Sequence, residues 1–121
     1  MKPVFVPGRN IAVKTPAHEF DSVVHFYQKI LGFKQLPDID GDSPGSVCFE
    51  FGDKMLWIDR VDGISQSEIW LEVSSNNLDG AQTYLENAGC AIRNEIEELP
   101  ASVSGFWLNS PSNIIHLVTK A

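Results

Sequence analysis

The side chains with the greatest chemical reach stand in apolar, alternating segments. Trp57 and Asp59 are two residues apart, and so are Glu68, Trp70 and Glu72. On a strand, a step of two places each set on one face. Trp107 lies in a further apolar run, so all three tryptophans fall in segments able to border one concavity. Indole faces beside carboxylates suit a cationic, partly apolar ligand. A single cation–aromatic contact is worth about 0.5–2 kcal/mol, so several groups must converge to make a tight site. His116 is flanked by Ile115 and Leu117, and an inward imidazole there could pair with Glu68 as a general acid or base. A neighbouring carboxylate orients an imidazole and raises its pKa. The plainer alternative makes the tryptophans core or interface and His116 a satisfied, half-buried histidine.

Other chemistries find little support. His18 and His25 fall on the polar side of a helical segment, where a solvated role is expected. Cys48 and Cys90 have neither zinc-site spacing nor the density of a disulfide scaffold, and read as half-buried thiols in a reducing compartment. There is no nucleophile–base pair, phosphate-cradling glycine loop, Walker sequence or dinucleotide fingerprint. A net charge of -7 argues against nucleic acid, which needs clustered Lys and Arg. Residues 1–7 lack the apolar core of a signal peptide, and no window has the roughly 18 apolar residues of a spanning helix. A cytoplasmic protein with no membrane partner is the expectation.

The elements that must position these residues follow from periodicity. Asn10 to Thr15 alternates, with Ile11 and Val13 on one face and Asn10, Ala12 and Lys14 on the other. From Glu19 to Leu31 the spacing of Phe20, Val23 or Val24, Tyr27, Ile30 and Leu31 predicts an amphipathic helix closed by Gly32. The unit recurs about 58 residues later, an internal repeat long enough to argue fold by itself. Ile69 and Leu71 take the places of Ile11 and Val13, and Leu78 that of Phe20. Residues 2–9 read as a short lead-in bounded by Pro7-Gly8 and able to pair as an edge strand. Pro37 to Gly45 reads as a loop, with a strand at about 34–36 before it. Val47 to Phe51 and Met55 to Val61 are strands around the Gly52-Asp53 turn. After a linker at Asp62 to Ser67, a strand spans Glu68 to Ser74. A helix capped by Asn76 or Asn77 then runs to about Ala88. Strands at Ala91 to Ile96, Gly105 to Leu108 and Ile114 to Val118 complete the order. The 121 residues, 43% apolar and 21% charged, suit one globular domain, 1–121, with repeats at about 10–61 and 68–119. The expected class is α+β: two βαβββ repeats forming curved mixed sheets, helices on one side and a concave pocket on the other.

This pattern resembles the vicinal oxygen chelate superfamily, which includes glyoxalase I, the bleomycin-resistance proteins, the extradiol dioxygenases and the fosfomycin-resistance enzymes. Phe26-Tyr27 with Leu31-Gly32-Phe33 looks like its first-helix signature, and Ala88-Gly89 like the end of its second helix. Ser110-Pro111-Ser112-Asn113-Ile114-Ile115-His116-Leu117 is similar to its final turn and strand, usually Asp-Pro-x-Gly-Asn before Ile-Glu-Leu. Here Ser110 replaces the Asp, and one turn residue is read as missing. The resemblance covers Asn10 to Thr119.

Metal-dependent members hold a divalent ion through four residues, typically His, Glu, His or Gln, and Glu, from the first and fourth strands of each repeat. Carried over by strand register, the positions are Asn10, Trp57, Glu68 and His116. Asn10 is a poor ligand for a transition metal and Trp57 cannot be one. In one reading Asp59 substitutes, and Glu68, His116 and Asp59 hold a zinc, nickel, iron or manganese ion for glyoxalase-like lyase, isomerase or dioxygenase chemistry. In the other the metal is lost. The protein is then a small-molecule-binding, glyoxalase/bleomycin-resistance-like homodimer that sequesters a cationic or aromatic compound, with Asn10, Trp57, Asp59, Trp70, Glu72 and Trp107 lining the pocket. This second reading leads, with no cofactor. Whether the chain is an enzyme stays open, with Glu68 and His116 as its catalytic candidates, and an interaction module with a filled concavity is a third possibility.

Overall fold

Alternation carries the first strand further than its sequence boundaries suggest. In the computed structural model, which describes residues 2–37 and 45–121, β1 runs from Phe5 to Pro16 without breaking at Pro7-Gly8. The loop expected at Pro37 to Gly45 lies mostly outside the described residues. The chain forms two compact units, Arg9–Ile69 (the first) and Met1–Gly8 with Trp70–Ala121 (the second). The first unit contains the expected first repeat, about 10–61, together with Glu68 and Ile69, and the second unit takes in the lead-in.

In the first unit β1 leads through a tight turn, Ala17–Glu19, into α1, Phe20–His25. β2 (Gln35–Leu36), β3 (Ser46–Phe51) and β4 (Lys54–Val61) follow, with strand order β2-β3-β4-β1. β1 runs parallel to β4, and the other pairs are antiparallel. Ile11 and Val13 pack with Phe49, Leu56 and Ile58 against Phe20, Val23, Val24 and Tyr27 of the helix, as the two periods require. The helix changes form at its end. Phe26–Ile30 is a π-helical turn, in which the Leu31 N–H reaches the Phe26 carbonyl at 2.9 Å. Gly32, at φ 73°, closes it as expected. The widened turn adds a residue to the helical repeat, so Ile30 and Leu31 leave the expected buried stripe. They are 65% and 45% exposed.

The second unit repeats the order with β5 (Glu68–Ser75), α2 (Leu78–Asn87), β6 (Ala91–Ile92), β7 (Gly105–Asn109) and β8 (Ile115–Lys120). Its strand order is β5-β8-β7-β6, with β5 parallel to β8. Asn77 caps α2, its Oδ1 accepting from the Gly80 N–H at 3.0 Å. Ala81 and Leu85 of the helix pack on Phe106, Leu108 and Val118, joined by Phe5 from the lead-in. The strand expected over Ala91 to Ile96 stops at Ile92. Beyond it the Asn94 side chain, rather than a strand carbonyl, accepts the Trp107 N–H at 3.0 Å. Each unit is thus βαβββ with a mixed sheet, the α+β class expected from the repeat.

Candidate functional site

Register decides which side chains share a face. In the first unit, Ala12 is opposite Trp57 and Lys14 opposite Asp59, while on the other flank of β4 Cys48 meets Trp57 and Ser46 meets Asp59. These residues, with Asn10, occupy the face away from α1. They bond to one another. The Trp57 indole N–H donates to Asn10 Oδ1 at 2.8 Å. Lys14 Nζ lies 2.8 Å from Asp59 Oδ2, and Ser46 Oγ donates to Asp59 Oδ1 at 2.5 Å. Thr15 Oγ1 donates to the Asp59 backbone carbonyl at 2.9 Å. Lys14 is only 3% exposed, a buried ammonium that pairs with Asp59. Cys48 sits in the same row, and its thiol is pushed up to about 11 by burial and then by the Asp59 charge.

The second unit arranges its corresponding face differently. Glu72 is opposite Leu117, Ser74 opposite Thr119, and Trp107 opposite Leu117 from the other side. Trp70, two residues before Glu72, meets Trp107 edge to face, with ring centroids 5.1 Å apart. Trp107 is 6% exposed and its indole N–H donates to the Glu97 carbonyl at 3.0 Å. It is therefore the buried backing of Trp70 and an anchor for residues 94–97. Trp70, Glu72 and Leu117 are half-buried. Thr119 Oγ1 donates to Glu72 Oε2 at 3.4 Å and exchanges a hydrogen bond with Ser74 Oγ at 2.8 Å. Glu72, Ser102, Ser104 and Thr119 line a cavity of about 370 Å³. A larger groove in the first unit, about 530 Å³, runs between Phe33 and Phe51 at the turn glycines Gly32 and Gly52. None of the residues expected to do chemistry borders that groove.

The expected facing of His116 needs correction. It is opposite Leu71 and Leu108, on the side of Val118 and the α2 core, and its Nδ1 is 3.2 Å from the Ile114 carbonyl. Leu117 takes the place on the Trp107 and Glu72 face. The sequence reading assumed a turn one residue short, and a one-residue offset reverses every side chain of a strand. The turn closes in full: Ser110 and Ile114 pair at 2.9 Å, with Ser112 and Asn113 both at positive φ. Glu68 is exposed at the start of β5.

A metal fits these residues poorly. Asn10 Oδ1, the atom that would face an ion, accepts from Trp57, and both Asp59 oxygens are bonded. Among the described residues no group of three or more His, Cys, Asp and Glu could hold a metal ion. Thr119 escaped the sequence reading, having no local signal, and Lys14 was read on the Asn10 face without a role, although it was legible as a cation on an otherwise uncharged strand face.

No protein-family model and no curated protein sequence matches the chain. Solved structures do. The homoprotocatechuate 2,3-dioxygenase of Arthrobacter globiformis superposes at TM-score 0.67 with 12% identity, over 98% of this chain and 37% of the dioxygenase. A variant of that enzyme from Brevibacterium fuscum gives 0.65 and 12%, over 98% of this chain and 33% of the other. A hypothetical protein of Bacillus halodurans C-125 gives 0.67 and 13%, over 97% of this chain and 94% of the other. This chain thus spans about a third of the dioxygenase chains and nearly all of the Bacillus one. At such identities the likeness is one of fold.

Proposed function

We propose that this chain, whose fold is that of the vicinal oxygen chelate superfamily, binds a small organic cation with an aromatic part and needs no metal to do so. The observation that carries the reading is the 2.8 Å hydrogen bond from Trp57 to Asn10. It commits two of the four positions where metal-dependent relatives keep ligands to each other, and holds an indole where an ion and its waters would need room. In the second unit, Trp70 offers a half-buried ring beside the Glu72 carboxylate, the pairing a cationic aromatic compound requires. The reading includes a homodimer acting in the cytoplasm, and its dimeric state is checked by sedimentation equilibrium.

Titration with cationic aromatic compounds, followed by tryptophan fluorescence, tests the proposal. Saturable quenching that Trp70→Phe weakens is expected. Unchanged emission up to the solubility limit of every compound would sink it. Added Zn²⁺, Ni²⁺, Mn²⁺ or Fe²⁺ should leave the thermal midpoint in place. A rise of several degrees would restore the metal-dependent lyase or dioxygenase reading, because a ligand that binds only the folded state stabilises it.

A further inference from the structure

The π turn at the end of α1 turns apolar side chains outward. Phe26, Ile30 and Leu31 are exposed there, and so is Phe51 at the end of β3. A row of rings joins them to the core. Buried Phe49 lies 6.0 Å from Tyr27, Tyr27 6.2 Å from Phe33 and Phe33 5.8 Å from Phe51, centroid to centroid. Phe26 meets Tyr27 edge to face at 5.2 Å. The Gln28 side-chain amide donates to Gln35 Oε1 at 2.9 Å and ties the turn to β2, so these groups are held in place before any partner arrives. Lys34 and Glu50, both exposed, line the groove of about 530 Å³ between Phe33 and Phe51.

Apolar surface rimmed by polar residues marks an interaction site, and here the charges point to the partner. The Glu50 N–H donates to the Lys34 carbonyl at 2.9 Å, so an anion and a cation stand opposite each other on adjoining segments. Residues 26–34 carry Lys29 and Lys34 and no Asp or Glu, in a chain of net charge -7. Two such chains repel each other, and least where each is locally neutral or basic. In a contact about a twofold axis residue i meets j while j meets i. A patch with one cation and one anion beside apolar groups therefore complements itself. We propose that a second copy of this chain packs on the π turn and the Phe33–Phe51 groove, with Lys34 of each copy against Glu50 of the other. The proposal rests on the dimeric state inferred above and assigns its surface.

Sedimentation equilibrium of the full chain and its variants tests the assignment, with circular dichroism as the check on folding. Ile30→Glu changes a side chain that is already exposed, so it should keep the fold and weaken dimerisation about a hundredfold. Lys34→Glu and Glu50→Lys should each weaken it about tenfold, because facing like charges oppose association. An equimolar mixture of those two variants should recover the parent's dimerisation, since each supplies the charge the other lacks. No effect within a single chain can produce that recovery. Dimers unweakened by Ile30→Glu, or a mixture that associates no better than its components, overturn this surface and leave the dimeric state standing. A parent that is monomeric at every concentration overturns both and leaves the binding of a small organic cation standing. A monomeric parent that sediments with phosphatidylcholine vesicles, and ceases to in Ile30→Glu, would give the surface to lipid and equally overturn the second copy.

Discussion

The two units have the same order of strands and helix, yet their sheet faces away from the helices have diverged. In the first, Asn10 is tied to Trp57, and Lys14 and Ser46 to Asp59, so the polar groups satisfy one another. In the second, Trp70 meets Trp107, and the Glu72 carboxylate accepts from Thr119 and lines a cavity. The same architecture thus supports a buried lysine–aspartate network in one repeat and a carboxylate at a cavity in the other. A buried ion pair holds the fold, whereas a group that lines a cavity can meet a ligand. Breaking the closed face should therefore cost stability, and breaking the other should cost binding. Lys14→Ala, which leaves Asp59 without its buried partner, should destabilise by about 3 kcal/mol in urea unfolding. Glu72→Gln should change stability by less than about 1 kcal/mol. Similar losses in the two variants would end the distinction.

The Trp57–Asn10 bond sharpens the point at a single contact. Trp57→Phe keeps an aromatic ring but leaves Asn10 Oδ1 without that donor, at an expected cost of about 1–2 kcal/mol. In a double-mutant cycle with Asn10→Leu, the second change should cost about 1 kcal/mol less in the Trp57→Phe background than in the parent. Full additivity would mean that the bond contributes nothing and that the indole merely fills space.

Much of this was legible in the residues, and the misses share a cause. The period of two in β1 placed Ile11 and Val13 in the core and Asn10, Ala12 and Lys14 on the other face, where the structure has them. The Gly32 closure and the Asn77 cap were also readable, because each rests on local chemistry. What failed depended on counting or on distant neighbours. One assumed missing residue sent His116 to the wrong face, and one extra residue in the π turn exposed Ile30 and Leu31. No sequence pattern announces that Gly8 lies against Glu72, since nothing local links positions so far apart.

The helices divide in the same way. Asn77 has the extended backbone of a capping residue and accepts from Gly80, while Glu19, at the start of α1, has helical φ and ψ and makes no side-chain cap bond. Asn77→Ala should therefore cost about 1 kcal/mol. Glu19→Asn should alter stability by less than about 0.5 kcal/mol, since a side chain cannot cap from helical geometry. A gain of about 1 kcal/mol in the second variant would show that the entry to α1 can adopt the cap it lacks.

The smallest effect contrasts the two cysteines. Cys48 is buried in the closed face of the first unit, and its pKa is raised from 9.0 to about 11, by burial first and the Asp59 charge second. Cys90 is half-buried against the core of the second unit. Since only the thiolate is alkylated, iodoacetamide at pH 8 should modify Cys90 well before Cys48, with mass spectrometry as the readout. The Cys48 rate should rise about tenfold per pH unit until the thiol titrates. The linked stability has a definite sign. The folded state holds the proton more tightly than the unfolded chain, so the contribution of Cys48 is constant below pH 9.0 and is lost as pH climbs toward about 11. Cys48→Ala should flatten the alkaline limb of a stability–pH curve. An alkaline limb identical in the variant and the parent would remove the Cys48 thiol from the contrast between the two faces.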